Sequence, residues 1–180
     1  MIQNNIEVEI RSFISPEKYQ QLLDFFHKEG KFINEDYQET YYFDAEQDLR
    51  IQRNNVHAKI WLKKGKLHDE HREELEIKFD RDNFEVLERL FLTLGYSVSI
   101  KWFRKRYTFG WEGITVMLDY TKGYGHIIEL EKMSAEHEKE KSLQLLKSKL
   151  QKLNIPLTAK EEFDNKYKRY KEHWRKLITE

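Results

Sequence analysis

The sequence predicts an α+β fold in which about eight antiparallel β-strands combine with helices. Most segments between residues 5 and 132 alternate apolar and polar side chains with a period of two, which is typical of half-buried strands. Turn-like residues join several of these strands as meanders. The remaining segments carry apolar side chains at helical spacing, and no linker-like stretch interrupts them. We therefore expect a single domain over residues 1–180.

The first half of the chain is expected to contain five strands and two helices. A strand at residues 5–14 precedes a helix from Pro16 to Glu29, which Ser15 can cap and Gly30 can end. A second helix is expected from about Asn83 to Leu94, after a loop near residues 65–71. The further strands are predicted at residues 37–44, 48–53, 57–63 and 72–79.

The second half is expected to contribute three strands and then helices. The strands are predicted at residues 97–109, 114–120 and 126–132, with a hairpin turn at 111–113. Two helices follow, and Thr158 with Glu161 resembles a capping box for the last one. That last helix carries an aromatic stripe of Phe163, Tyr167, Tyr170 and Trp174.

Composition narrows the function classes. Lys plus Arg and Asp plus Glu both number 32, so no net charge draws the chain toward nucleic acid or an anionic membrane. The absence of cysteine excludes disulfides, thiolate metal sites and a cysteine nucleophile. Neither a signal peptide nor an apolar stretch long enough to span a membrane is evident. We expect a cytoplasmic protein that is a monomer or a homodimer.

Charged residues recur on one face of strand after strand. Glu7, Glu9 and Arg11 alternate with Val8 and Ile10, and acids and bases alternate in the same way along other strands. These further residues are Arg50, Lys59, Lys63, Arg72, Glu74, Glu76, Arg104, Arg106, Glu129 and Glu131, and the uncharged Gln52 shares the polar face of Arg50. Asp119 follows Val116 and Leu118 either with a change of phase or with Met117 and Thr115 beside it.

Two arrangements are compatible with this alternation. In an open sheet, the charged faces meet solvent and each cross-strand ion pair contributes only a few tenths of a kcal/mol. In a closed barrel, the charges point inward and must be paired or bound to a ligand. A polyanion together with a divalent cation would satisfy both signs of charge, because bases bind phosphate and carboxylates bind metal.

The ordered series of motifs resembles the CYTH superfamily of triphosphate tunnel metalloenzymes. Glu7-x-Glu9-x-Arg11 is similar to the N-terminal ExExK motif of that family. The supporting matches are Leu49-Arg50-Ile51, Trp61-Leu62-Lys63, Arg72-Glu73-Glu74-Leu75-Glu76, Arg104-Lys105-Arg106-Tyr107, Leu118-Asp119 and Ile128-Glu129-Leu130-Glu131. The resemblance covers about residues 5–131 and is weaker in the helices beyond.

The resemblance implies an eight-stranded antiparallel β tunnel with a charged interior and helices packed outside. Members of the family cleave or cyclise triphosphate compounds with Mg²⁺ or Mn²⁺, and they include triphosphatases and class IV adenylyl cyclases. The implied metal ligands are Glu7, Glu9, Glu74, Glu76, Asp119, Glu129 and Glu131. The implied substrate-binding residues are Arg50, Lys63, Arg72, Arg104 and Arg106. The implied catalytic residues are Glu9, Arg11 and Asp119.

Two positions depart from the family pattern. Arg11 stands where the motif has Lys, and Arg cannot easily lose a proton, so turnover could be slower. Gln52 stands where many members carry a second Arg, and Arg53 replaces that charge only if a bulge reorients it.

The expected function is metal-dependent hydrolysis of a triphosphate, with inorganic tripolyphosphate as the first candidate. The alternatives are a cyclase that forms cyclic AMP from ATP, and a binder of polyphosphate or nucleotide without turnover. Tyr41 and Tyr42 lie near an expected tunnel tyrosine, and the sequence does not fix which of them faces inward. His126 is expected to pack rather than to bind metal. In the basic run Lys166–Lys171 the tyrosines are expected to face the barrel and the bases to face solvent, with Lys166 or Arg169 closing a tunnel mouth as the alternative.

Overall fold

The computed structural model describes residues 5–63 and 74–179, and this part of the chain contains eight strands and four helices. The strands are β1 Asn5–Ile14, β2 Lys31–Phe43, β3 Asp48–Arg53, β4 His57–Lys63, β5 Glu74–Asp80, β6 Val98–Trp111, β7 Ile114–Thr121 and β8 Gly125–Ala135. The helices are α1 Pro16–Glu29, α2 Phe84–Thr93, α3 Lys139–Lys152 and α4 Lys160–Leu177. No helix among the described residues is both long enough and apolar enough to cross a membrane.

The strands form one sheet in the order β1-β8-β7-β6-β2-β3-β4-β5. The pairs β1–β8, β7–β8, β2–β3, β3–β4 and β4–β5 are all antiparallel. The α+β class with an eight-stranded antiparallel sheet is thereby confirmed. Within the described residues this order begins at β1 and ends at β5, so its hydrogen bonds do not close the ring that the family resemblance implies.

The chain divides into two compact units. Unit 1 is the part of the chain up to Glu35 together with Lys105–Lys168. Unit 2 is Asp36–Arg104 together with Arg169–Glu180. The boundaries therefore fall within β2, β6 and α4. The single domain expected over residues 1–180 stays a prediction.

The core of unit 1 forms where α1 and α3 meet the apolar face of the sheet. Ser15 caps α1 by accepting a hydrogen bond from the backbone N–H of Lys18, and Pro16 occupies the first turn, as the sequence predicts. The buried stripe of α1 consists of Tyr19, Leu22, Leu23 and Phe26. It packs in one cluster with Val8, Ile10, Val116, Leu118, Ile128, Leu130, Leu146 and Leu150.

The hairpin between β6 and β7 is confirmed at its expected place. Glu112 and Gly113 have φ values of 46° and 79°, and positive φ at both central residues is the requirement of a type I′ turn. The carboxylate of Glu112 pairs with Lys149 and Lys152 of α3. These ion pairs hold a non-glycine residue in a backbone conformation that costs energy.

The core of unit 2 forms between α2 and β2–β4. Phe84 and Leu87 of α2 are buried against Tyr41, Ile51 and Ala58 of the strands. Leu90 and Leu94, which the helical spacing places on the same side, are exposed instead. The expected start of the helix near Asn83 differs from the observed one by a single residue.

Two local predictions are wrong. β2 begins at Lys31 rather than near residue 37, because the chain enters this strand directly after Gly30. Thr158 does not cap α4, which begins at Lys160. Its hydroxyl instead accepts a hydrogen bond from the backbone N–H of Phe13 at 2.9 Å, and its own N–H donates to the hydroxyl of Ser12 at 3.0 Å. The loop expected at residues 65–71 lies outside the described residues.

We expect Gly30→Ala to destabilise the fold by about 1–3 kcal/mol, because the new methyl group has no room. A Cβ at this position would lie 2.8 Å from the carbonyl oxygen of Phe26 and 3.4 Å from that of Gly110. Gly110→Ala is the matched control, since its nearest side-chain neighbours are 4.0 Å away. Urea unfolding followed by circular dichroism measures both variants, and equal midpoints would contradict the packing argument.

Candidate functional site

The polar residues of β1 and β8 share one face of unit 1. In the antiparallel register of these strands, Glu9 is partnered by Glu131 and Arg11 is partnered by Glu129. Partnered residues point to the same side of a sheet, as do residues two apart along a strand. The apolar residues between them are buried in the core. The acidic members of this face, which we name the carboxylate face, are Glu7, Glu9, Glu129 and Glu131.

Crowding of like charge is evident at Glu131. Burial raises the pKa of Glu131, and the charges of Glu7, Glu129 and Glu9 raise it further, while Arg106 acts in the opposite direction. Added positive charge relieves this repulsion, so the carboxylate face favours a cation. Carboxylate oxygens are the ligands that hard divalent cations prefer.

The carboxylate face is not a closed metal cage. Across residues 5–63 and 74–179, no group of three or more His, Asp or Glu side chains lies close enough together to hold a metal ion. Mg²⁺ commonly keeps several waters and takes only one or two carboxylates, with substrate phosphates completing its shell. The donor set therefore suits a Mg²⁺-like ion that binds together with a phosphate ligand.

Arg106 and Asp119 form a buried, two-pronged ion pair in unit 1. Arg106 donates from Nε to Oδ1 and from Nη2 to Oδ2 of Asp119, both at 2.7 Å. Their side chains are only 16% and 3% exposed. Burial lowers the pKa of Arg106, but the hydrogen bonds to Asp119 and the charges of Asp119, Glu129 and Glu9 raise it above its usual value. Arg106, an implied substrate-binding residue, and Asp119, an implied metal ligand, are thus hydrogen-bonded to each other.

Arg11 lies next to the carboxylate face and against an aromatic ring. It is exposed, and its guanidinium lies 4.8 Å from the centre of the Phe163 ring of α4. Phe163 in turn stacks on Phe13 with ring centres 4.4 Å apart. A cation over an aromatic face is attracted by the ring quadrupole, so Phe163 limits where Arg11 can point.

Arg50 is a largely enclosed base of unit 2, with a side chain that is 13% exposed. It donates from Nε to Oδ1 of Asp48 at 2.6 Å and from Nη2 to Oδ2 at 2.5 Å. The rings of Tyr42 and Trp61 lie 4.3 Å and 5.2 Å from its guanidinium. Tyr42 is therefore the tyrosine that shares the polar face with Arg50, whereas Tyr41 is buried in the core.

Two further bases of unit 2, Arg104 and Lys59, also have partners within it. Arg104 donates to Oε1 of Gln38 at 2.9 Å from Nε and at 2.5 Å from Nη2. Lys59 donates to Oε2 of Glu76 at 2.7 Å, and this hydrogen bond lowers the pKa of Glu76. Glu76, an implied metal ligand, is thus engaged with a lysine of the neighbouring strand.

Arg53 does not replace the charge missing at position 52. Gln52 is buried and donates to the hydroxyl of Thr40 at 2.8 Å. The register continues without a bulge, so Arg53 points to the opposite side, where its Nε is 2.6 Å from Glu39 and its guanidinium lies over Phe84. The polar face therefore has one base fewer than the family pattern implies.

Two further expectations concern aromatic packing. His126 stacks on Tyr120 and lies tilted against Tyr19, with ring centres 4.7 Å apart in both cases. Tyr170 of the basic run is buried and packs on Trp102 in unit 2, with ring centres 4.8 Å apart. Lys166, expected to face solvent or a tunnel mouth, places its Nζ over the ring of Phe13 in unit 1.

Some implied site residues cannot be placed. Arg72 lies outside the described residues. Lys63 and Glu74 are backbone partners across β4 and β5, but their side chains lie outside the described part of the structure. Their implied roles stay predictions.

The sequence reasoning missed three side chains that hold the bases in place. Asp48, Gln38 and Phe163 contact Arg50, Arg104 and Arg11 respectively. A signal existed for Asp48, since a residue two positions before Arg50 on a strand shares its face. The other two come from distant segments, and spacing along the chain does not indicate them.

Comparison with known proteins identifies relatives of this arrangement. The profile of the CYTH domain matches residues 5–173. A conserved hypothetical protein from Pyrococcus furiosus is 23% identical, with a TM-score of 0.64 over 84% of this chain and 92% of that chain. A candidate adenylate cyclase from Vibrio parahaemolyticus is 16% identical, with a TM-score of 0.63 over 89% and 98%. Another from Bacillus halodurans is 16% identical, with a TM-score of 0.60 over 86% and 92%. No curated protein matches in sequence.

We expect Glu131→Gln to increase stability slightly at neutral pH. Folding raises the pKa of Glu131 above its ordinary value. The free energy of unfolding therefore falls as the pH rises from the ordinary pKa of Glu through the raised pKa. The gain should disappear at acidic pH, where Glu131 is protonated in both states. Thermal unfolding at the two pH values measures it.

A second arm of this experiment tests the preference for a cation. Millimolar Mg²⁺ or Mn²⁺ should raise the unfolding midpoint of the wild type more than that of Glu131→Gln. Exposed Glu136, which directly follows β8, provides the control Glu136→Gln. A destabilised Glu131→Gln at neutral pH, or equal metal effects in all three proteins, would contradict the repulsion argument.

Proposed function

This chain belongs to the CYTH domain family, and from that membership we propose that it is a metal-dependent hydrolase of triphosphate compounds. Family members are typically enzymes that act on triphosphates with a metal ion. Inorganic tripolyphosphate is the first proposed substrate, because no feature of the sequence indicates a pocket for a particular base or thiazole. The closed tunnel of the family also belongs to this proposal.

The observation that carries the proposal is the carboxylate face with its raised Glu131 pKa. Arg106 contacts Glu129 at 3.4 Å, but the charges of Glu7, Glu129 and Glu9 still raise the pKa of Glu131, so a phosphate ligand alone would be repelled. A divalent cation together with a phosphate chain relieves the repulsion. The basic residues of the chain then meet the phosphate oxygens.

The proposed roles follow from charge and position. One or two of Glu7, Glu9, Glu129 and Glu131 would bind the cation directly and the others through water, with Glu74, Glu76 and Asp119 assisting as the family resemblance implies. When bound, the cation would neutralise phosphate charge and lower the pKa of a water that it binds. Arg50, Lys63, Arg72, Arg104 and Arg106 would bind successive phosphate groups, and Arg forks suit pairs of phosphate oxygens.

Three side chains would act closest to the reacting phosphate in this scheme. Arg11, stacked on Phe163 and partnered by Glu129 in the register, would orient the terminal phosphate. Glu9 would accept hydrogen bonds from the attacking water, and Asp119 would keep Arg106 extended toward the carboxylate face.

Cyclisation of ATP is the second candidate function. Two structural neighbours are described as candidate adenylate cyclases, and this similarity in fold supports cyclisation as the alternative reaction. The products separate the two reactions, because hydrolysis of a terminal phosphate releases orthophosphate and cyclisation releases pyrophosphate with a cyclic nucleotide. A third outcome, tight binding without turnover, would favour a binding protein.

We expect Glu9→Gln to reduce kcat/KM for tripolyphosphate at least about 100-fold, because it removes a charged cation ligand. The assay offers tripolyphosphate, ATP, GTP and thiamine triphosphate with Mg²⁺ and then Mn²⁺, and measures orthophosphate and pyrophosphate separately. Exposed Glu29 of α1 supplies the control Glu29→Gln. Turnover that survives Glu9→Gln would remove the carboxylate face from the mechanism.

We expect Arg11→Lys to raise kcat by roughly two- to tenfold, because lysine restores the family motif and exchanges protons more readily than arginine. The same phosphate-release assay measures the effect, and Arg89→Lys on the exposed surface of α2 is the control. A fall in kcat would indicate that the stacked guanidinium on Phe163 is itself required.

A further inference from the structure

The contact between Asp48 and Arg50 places a negative charge against a base of unit 2. Asp48 occupies the edge of the guanidinium formed by Nε and Nη2, at 2.6 Å and 2.5 Å. The two side chains are 10% and 13% exposed. This is the edge and the geometry that a pair of phosphate oxygens would take. The Asp48 carboxylate therefore occupies the position that a phosphate would take on Arg50, and its negative charge offsets the positive charge of the guanidinium.

The aromatic neighbours hold the same guanidinium in a different way. Tyr42, Arg50 and Trp61 are successive partners across β2, β3 and β4, so the cation lies in one row with both rings. The rings are 4.3 Å and 5.2 Å from it. These contacts place the cation over the two rings, whereas Asp48 accepts hydrogen bonds from its Nε–Nη2 edge. Loss of the Asp48 charge therefore leaves Arg50 oriented by the two rings.

Arg104 provides an internal comparison. Its guanidinium also donates twice to one oxygen acceptor, but that acceptor is the neutral amide of Gln38. An amide orients an arginine without cancelling its positive charge. Of these two bases of unit 2, Arg50 alone is bonded by a carboxylate in its two-pronged contact.

We propose that Asp48 is a positioning residue that sets the affinity of the chain for phosphate by competing for the Nε–Nη2 edge of Arg50. The inference deepens the proposed function, since it assigns an affinity-setting residue to the phosphate-binding bases. A phosphate that reaches Arg50 must displace the Asp48 carboxylate or share the cation with it, and both arrangements place like charges together. Asp48 thus weakens the binding of anionic ligands while it keeps Arg50 extended.

The test measures binding of inorganic tripolyphosphate by calorimetry, in EDTA and then in Mg²⁺. We expect Asp48→Asn to lower Kd by about three- to tenfold, because a neutral amide no longer repels the anion. KM should fall by the same factor, with kcat changed less than about twofold. Asp44→Asn, at an exposed aspartate four residues upstream in the same unit, should leave Kd unchanged. General damage to the fold would weaken binding, so the direction of the change is diagnostic.

A double-mutant cycle ties the effect to Arg50. Arg50→Gln should weaken binding, and adding Asp48→Asn to it should bring no further change in Kd, since the shared contact is already absent. Circular dichroism verifies folding of each variant, and Asp48→Ser, which also removes the charge, replaces Asp48→Asn should the latter unfold.

The outcomes separate this inference from the proposed function. Wild-type protein that releases neither orthophosphate nor pyrophosphate would overturn the hydrolase, while the comparison of Kd values would still decide the role of Asp48. An unchanged or raised Kd in Asp48→Asn would overturn the inference. An equal fall in Kd when Asp48→Asn is introduced into the wild type and into Arg50→Gln would overturn it too. Failure of every variant to bind tripolyphosphate would overturn it as well, because Arg50 would then not be a phosphate ligand.

Discussion

The register between β1 and β8 is the constraint on which the charged face of unit 1 depends. A shift of one residue would turn Glu7 and Glu9 into the core and expose Val8 and Ile10. Burial of an aliphatic side chain contributes roughly 2 kcal/mol, whereas a repulsive pair of partly exposed carboxylates costs at most about 1 kcal/mol. The apolar side of β1 and β8 therefore fixes the register, and the acids are brought together as its consequence. The raised pKa of Glu131 reports the strain that this arrangement leaves.

Several described bases of both units are already engaged by acceptors of their own unit. Arg106 is held by Asp119, Arg50 by Asp48 and Lys59 by Glu76. An isolated buried guanidinium would be costly, so such pairing is what makes these charges compatible with a folded chain. Affinity for an anion is therefore the difference between the contacts that the anion makes with these bases and the contacts with protein acceptors that it replaces. On the carboxylate face Glu129 accepts a hydrogen bond from Arg106 at 3.4 Å, yet the charges of Glu7, Glu129 and Glu9 still raise the pKa of Glu131. A cation is therefore the natural complement there.

Alternation along the strands was enough to predict most of the architecture. The ranges of β1, β3 and β4, the stripe of α1 and the hairpin at residues 111–113 agree with the periods of apolar residues. β2 was predicted too short, because its first residues are mostly exposed and lack a clear alternation. Thr158 shows another limit of local reasoning, since a hydroxyl suited to cap a helix instead binds the backbone of β1.

The sequence by itself determined which side chains face the same way, because the direction of a strand residue depends on the parity of its position. It also carried the ordered motifs by which the family is recognised. Only the tertiary structure decided which charge meets which partner: Asp119 with Arg106, Gln38 with Arg104 and Phe163 with Arg11. Such contacts join segments far apart in the chain and depend on distances of a few ångströms. Periodicity within one segment carries no information about them.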